Sequence, residues 1–172
     1  PYTVTDLGPG AGDGLSSALA LNGKGQVAGY SNETQYYSLH RKSVVWTAGV
    51  PLVISSVGAT GVQASEYDRA TGINDAGQVV GVSSDLTGDY RWHAYLWTKA
   101  TGLQDIGTFP TGSYSVAYGI NSGGAVVGSA STSNADHAFL WTAATGMQDL
   151  GTFGGPESAA SAINTTKQVV GW

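Results

Sequence analysis

The chain contains no cysteine. Disulfides, thiolate nucleophiles and Cys-ligated zinc or iron–sulfur centres are therefore excluded. Charge is scarce as well. Asp, Glu, Lys and Arg make up 11% of the 172 residues, against roughly 25% in an average soluble chain. Acidic residues outnumber basic ones, 12 to 7, for a net charge of -5. Such a chain is a poor counterion for phosphate, so no nucleic-acid partner is expected. No apolar run approaches the roughly 20 residues of a membrane-spanning helix, and no membrane insertion is expected. No secretory leader is visible, and Pro1 reads as a mature or trimmed start. Helical periodicity is also missing throughout.

What the chain does have is glycine, 26 residues of it, and a sentence that it repeats. "ATGINDAGQVVGV" (Ala70 to Val82) recurs as "AYGINSGGAVVGS" (Ala117 to Ser129) and "ASAINTTKQVVGW" (Ala160 to Trp172). A looser copy is "ALALNGKGQVAGY", Ala18 to Tyr30. The marker asparagines Asn22, Asn74, Asn121 and Asn164 stand 52, 47 and 43 residues apart. The tryptophans Trp46, Trp97 and Trp141 keep nearly the same step. Length varies mainly between "VVG" and the Trp, which marks a surface loop.

Each unit reads as four short strands, A to D. "ATGIN" and "QVVGV" flank a Gly/Asp-rich link of hairpin type. "HAYLWT" and "LQDIGT" flank "KATG", and a longer passage leads to the next unit. The predicted architecture is all-β: propeller-type, four-stranded antiparallel blades, about three and a half of them, in a ring that is incomplete or completed by another chain. A linear stack of small sheets is the alternative. The whole of 1–172 is one repeat domain. It divides into a lone outer strand at 1–8, repeats at 16–59, 68–109 and 115–153, and a half repeat at 158–172. In strand A, the alternate positions 18/20, 70/72, 117/119 and 160/162 are all Ala or Gly. Alternation predicts one flattened side, pressed closely against a neighbour.

Residues that repeat once per unit are expected to be structural. His93 and His137 share one position, held by Lys42 in the first unit, and read as packing or hydrogen-bonding at the start of strand C. Asp6, Asp105 and Asp149 recur with Gln104 and Gln148 beside two of them, and read as turn or backbone partners. Paired carboxylates raise a glycoside-active enzyme as the weakest alternative, but carboxylates one blade apart are not expected to converge. Asn22, Asn74, Asn121 and Asn164 are expected to cap the A–B turn, with a central-channel ligand site as the lesser reading. No cofactor is expected; calcium at the oxygen-rich "NADH" (Asn134 to His137) or "TGDY" (Thr87 to Tyr90) is a weak option. The non-repeated B–C loops carry Tyr36, Tyr37, Tyr90 and Trp92, aromatic rings of the kind that stack on sugars or proteins. Of the two "N-x-T" triplets, only that at Asn32 lies outside a repeat position.

The run "A-x-G-I-N-x-x-G-Q-V-V-G … H-A-F-L-W-T … G-M-Q-D-L-G-T" is nearly complete from Ala117 to Thr152 and close from Ala70 to Thr108. It resembles the bacterial HAF-repeat family, named for the triplet at His137-Ala138-Phe139. The first unit departs from the pattern, with Lys42-Ser43-Val44 in place of "HAF". The resemblance implies an extracellular or cell-surface repeat protein without an established catalytic activity.

Strand counting leaves an unfinished blade. Joining the N-terminal D-like run to the last A–B pair would still leave strand C missing. A fragment of a longer chain, complementation between chains, or imperfect closure would each account for this. The expected function is a non-catalytic extracellular scaffold that assembles with itself, into filaments if strand addition between chains does not close. The alternative is a ligand-binding surface module for glycans or cell-surface proteins, using the aromatic B–C loops.

Overall fold

The computed structural model describes residues 3–9, 14–35, 38–54, 67–84 and 91–172. All regular structure among them is β. The first sheet holds Ser16–Leu21 (β1), Gln26–Gln35 (β2), Ser38–Thr47 (β3) and Val50–Val53 (β4). The second holds Arg69–Ile73 (β5), Val79–Ser83 (β6), His93–Thr98 (β7) and Gly102–Asp105 (β8). The third holds Ser115–Ile120 (β9), Val126–Ser131 (β10), Asp136–Thr142 (β11) and Gly146–Asp149 (β12). Ala160–Ile163 (β13) and Val169–Gly171 (β14) form a two-stranded sheet. Each four-stranded sheet is an antiparallel meander in chain order.

The expected outer strand at 1–8 does not form over the described residues 3–9. A strand needs a ladder to pair with, and none of the described strands pairs with it. Its terminal turn nevertheless matches the ends of β8 and β12: Asp6 Oδ1 accepts the Gly8 N–H at 2.9 Å, as Asp105 does for Gly107 at 2.8 Å.

The innermost strands touch in succession, β1 to β5 to β9 to β13. Their ends from all four units line one hollow of about 370 Å³. In a straight stack the first and fourth ends would lie roughly 30 Å apart, three sheet spacings of about 10 Å. The blades therefore fan about an axis at their inner edges, as in a propeller, and the arc is open.

A bulge in every inner strand sets the contact between blades. Ala18 pairs with Gly29 and Ala20 with Ala28; Ala70 with Gly81 and Gly72 with Val80. The same slip occurs in β9 and β13. One extra residue therefore sits between the two small ones. This changes the expectation of a single flattened side. Ala70 lies in the cluster formed with Ala28, Val45 and Tyr95, which fills the space toward the first blade. Gly72 instead faces the third blade, where a Cβ would stand 3.5 Å from the Tyr118 carbonyl and 3.6 Å from the Gly119 Cα. Gly119 meets Ala162 in the same way, at 3.4 Å. The small residues thus serve both faces of the blade.

The inner strand also explains the glycine of "VVG". The carbonyl of the residue just before the first small position lies where a Cβ of the facing B-strand residue would stand: Ser17 over Gly29, Arg69 over Gly81, Val116 over Gly128 and Ala159 over Gly171. On the same glycines rest the large side chains of strand C. Phe139 Cε1 would lie 2.8 Å from a Cβ at Gly128, and Tyr95 Oη 2.7 Å from one at Gly81. Tyr95 and Phe139 are fully buried, and each stabilises the fold by about 3 kcal/mol through lost apolar surface. The Tyr95 hydroxyl donates across the blade boundary to Ser43 Oγ at 2.9 Å.

Gly128→Ala should therefore destabilise by about 3 kcal/mol or more, since neither the carbonyl nor the ring can yield. Gly155→Ala, where a Cβ meets nothing nearer than 3.9 Å, should be close to neutral. Urea denaturation of both variants checks this, and equal midpoints would refute the assignment.

Candidate functional site

Asn22, Asn74, Asn121 and Asn164 close the inner strands and do two jobs. Each side-chain oxygen accepts the backbone N–H groups two and four residues on; for Asn74 these are Ala76 at 3.1 Å and Gln78 at 3.0 Å. This pins a turn that ends on Gly25, Gly77 or Gly124 at positive φ, with Lys167 (φ 63°) in the fourth unit. The side-chain nitrogen reaches outward. Asn22 Nδ2 donates to the Asn74 carbonyl, Asn74 to that of Asn121, and Asn121 to that of Asn164, each at 3.0 Å. The other N–H of Asn22, Asn74 and Asn164 donates to the Oε1 of Gln26, Gln78 and Gln168. In the third unit Ala125 replaces that glutamine. The turn cap is legible in the sequence; the reach to the next blade is not, because nothing local signals it.

These asparagines ring the axial hollow, with Leu21, Ile73, Ile120 and Ile163 beneath. Their amides are largely engaged by the turns and by each other, with one N–H each of Asn121 and Asn164 left over among the described residues. Asp75 is likewise engaged, accepting the Gly23 N–H at 2.6 Å across the blade boundary. The hollow offers a ligand few unused polar groups.

The recurring histidines and aspartates prove to be partners. His93 Nδ1 lies 2.8 Å from Asp105 Oδ2, and His137 Nδ1 2.9 Å from Asp149 Oδ2. The other oxygen of each carboxylate accepts the N–H of Gly107 or Gly151. Each pair ties the start of strand C to the end of strand D within one blade, so each carboxylate works alone. A serine missed by the sequence reading ties one blade to the next. Ser115 Oγ donates to the Gly107 carbonyl at 2.6 Å and accepts the Ala94 N–H at 2.9 Å. Ser158 repeats this with Gly151 and Ala138. Its signal was present as a serine two residues ahead of the repeated alanine at Ser16, Ser115 and Ser158.

Of the candidate ligand-binding aromatics, Tyr36, Tyr37 and Tyr90 lie outside the described residues, as does "TGDY". Trp92 is exposed and packs at a 49° tilt on Tyr67, centroids 5.5 Å apart. Arg41 adds its guanidinium 4.8 Å above the Tyr30 ring. Trp92 also borders a hollow of about 490 Å³ with Arg69, Arg91, Tyr114, Tyr118 and Asp136. Burial pushes the Tyr114 hydroxyl up to about 12, helped by its hydrogen bond to the Asp136 carboxylate. Ring faces, guanidinium groups and a carboxylate around one concavity suit a sugar or a short peptide. At "NADH", Thr132 closes a turn with Asn134 and Ala135. Among the described residues, no three His, Asp or Glu side chains gather to hold a metal ion. Asn32 sits in β2, half-buried, its Oδ1 out of reach of water.

Two outcomes follow from this geometry. Asn74→Asp replaces two N–H donors by a carboxylate aimed at a carbonyl, which should cost about 2–4 kcal/mol at neutral pH. Burial against that carbonyl raises the new acid in the folded state, so the loss should shrink as pH falls toward 4 and the acid protonates. Thermal melts at several pH values read this directly, and a pH-independent loss would contradict it. Tyr114 should titrate near 12, above an ordinary tyrosine, so the stability tied to its neutral hydroxyl persists below pH 10 and is lost as pH rises through 12. Tyrosinate absorbance of the protein against Tyr114→Phe measures it.

No curated protein matches this chain. Residues 13–150 match a family described as "Protein of unknown function (DUF3466)". The matched span begins just ahead of β1 and ends one residue beyond β12, so it takes in the three complete blades. On that match, which covers most of its length, the chain belongs to the DUF3466 family.

Proposed function

We propose that the protein is a non-catalytic repeat scaffold of the cell exterior that assembles with copies of itself, head to tail. One observation supports this reading: blades dock on one another through a repeated head-to-tail contact, the asparagine amide of one turn donating to the main-chain carbonyl of the next. Val80 and Val127 are fully buried against the following blade, whereas Val170, at the same place in β14, is 63% exposed. Among the described residues, Asn164 Nδ2 makes one hydrogen bond and the Asn22 carbonyl accepts one, so the first and fourth turns carry a complementary donor and acceptor. Leu19 and Leu21 stand exposed on that first blade. A surface that offers donors and apolar groups at one end and their complements at the other is heterologous, and repeated contacts of this kind make filaments. The placement outside the cell rests on the resemblance to HAF repeats, and the absence of catalysis on the structural employment of the recurring polar residues.

The hollow beside Trp92 supports a second reading, a surface module that binds glycans or cell-surface proteins. Loss of glycan-array signal in Trp92→Ala would favour it, and silence of the unmodified protein would retire it.

For the first reading, light scattering should show mass rising with concentration, and electron microscopy should show fibres. Val170→Lys and Leu21→Lys block opposite ends. Each should stop growth, while a mixture of the two should stop at dimers. A protein that stays monomeric at every concentration overturns the reading.

A further inference from the structure

Six asparagines occur in the chain, and Asn22 alone is followed by glycine. That pair is chemically special. A backbone nitrogen can attack the side-chain carbonyl carbon of the asparagine before it, and glycine puts no Cβ in the way. At the equivalent turns Asp75, Ser122 and Thr165 stand where Gly23 does, so the turn itself tolerates a side chain there. The neighbouring blade is what demands the glycine. A Cβ at Gly23 would lie 3.0 Å and 3.2 Å from the two carboxylate oxygens of Asp75.

The groups that would react are held. The Gly23 N–H donates to Asp75 Oδ1 at 2.6 Å, and a carboxylate so near opposes loss of the amide proton. Asn22 Oδ1 accepts the N–H groups of Lys24 and Gln26 at 3.1 and 2.9 Å. Asn22 Nδ2 donates to Gln26 Oε1 and to the Asn74 carbonyl. Ring closure requires the carboxamide to rotate, and these bonds oppose the rotation. The bonds to Asp75 and Asn74 come from the second blade and are lost when the first blade undocks. Water reaches the turn, since Gly23 and Asp75 are exposed.

We propose that Asn22–Gly23 is a modification site, a deamidation site locked by the docking of the first blade on the second. On undocking, the Gly23 nitrogen gives its proton to solvent base and bonds to Asn22 Cγ. The Cγ–Nδ2 bond breaks, and the side-chain nitrogen takes up a proton and leaves as ammonia. Water then opens the succinimide, at Cγ to give aspartate or at the main-chain carbonyl to give isoaspartate. At neutral pH neither product can donate to the Asn74 carbonyl. Each adds a negative charge to the turn that faces Asp75. An undocking long enough for the reaction is therefore recorded in the chain, and the first boundary does not close again as before.

The test ages the purified protein at mildly alkaline pH. The peptide containing Asn22 is followed by mass spectrometry and by isoaspartyl methyltransferase labelling. Conversion in the native protein should run at least about tenfold slower than in the urea-unfolded chain. Asp75→Ala should speed it severalfold in the folded protein, whereas Gly128→Ala, which weakens the third blade, should not. Asn134, in an exposed turn, is the internal reference and should convert equally in all three. Asn22→Asp should lose amide-exchange protection in β1 and β2 while the third blade keeps its own. Equal rates in folded and unfolded protein, no effect of Asp75→Ala, equal acceleration by Gly128→Ala, or unaltered protection in Asn22→Asp would each overturn the proposal.

Discussion

The structure depends on a side-chain amide that leaves its own blade. Each inner turn is held by an asparagine oxygen, and the nitrogen of the same group bonds to the next turn's carbonyl. A hairpin of two short strands is marginal alone in water. Here the turn that forms the hairpin and the contact that stacks it are made by one residue, so local order and blade docking are coupled. The bulges act beside this. They turn one small residue toward each neighbour and bring the inner strands close enough for the amide to reach. Burial of Tyr95 and Phe139 then fills the wedge that opens outward from the axis.

Much of this was legible in the residues. The repeated Asn and the Gly-rich links marked the A–B hairpin, and the spacing gave the blade count. The two-sided use of the small residues was not legible. Alternation assumes a regular strand, and a bulge adds one residue without a distinctive sequence mark. The links between Asn and Asn, and between Ser115 and Ala94, join elements far apart in the chain and have no local signature. The His–Asp pairs could have been found from sequence: both members recur at a constant separation of 12 residues, which spans a C–D hairpin. Over residues 3–9 the chain shares the Asp6–Gly8 turn with the repeats, but none of the described strands pairs with it.

The division of labour among polar groups follows from low charge. With few ionic side chains, blade contacts rely on amides, hydroxyls and backbone groups, whose strength varies little with salt. The side chains that repeat are employed in this framework. Individual character is left to places where the units differ, and the concavity beside Trp92 is the clearest of these, combining rings with Arg69 and Arg91.

The acceptor of each amide is a main-chain carbonyl, a group that every amino acid carries. The receiving blade therefore need not evolve a matching side chain for its neighbour. Through this bond a unit that carries its own asparagine can dock on any neighbour whose turn presents the same backbone shape, whatever side chains that turn bears.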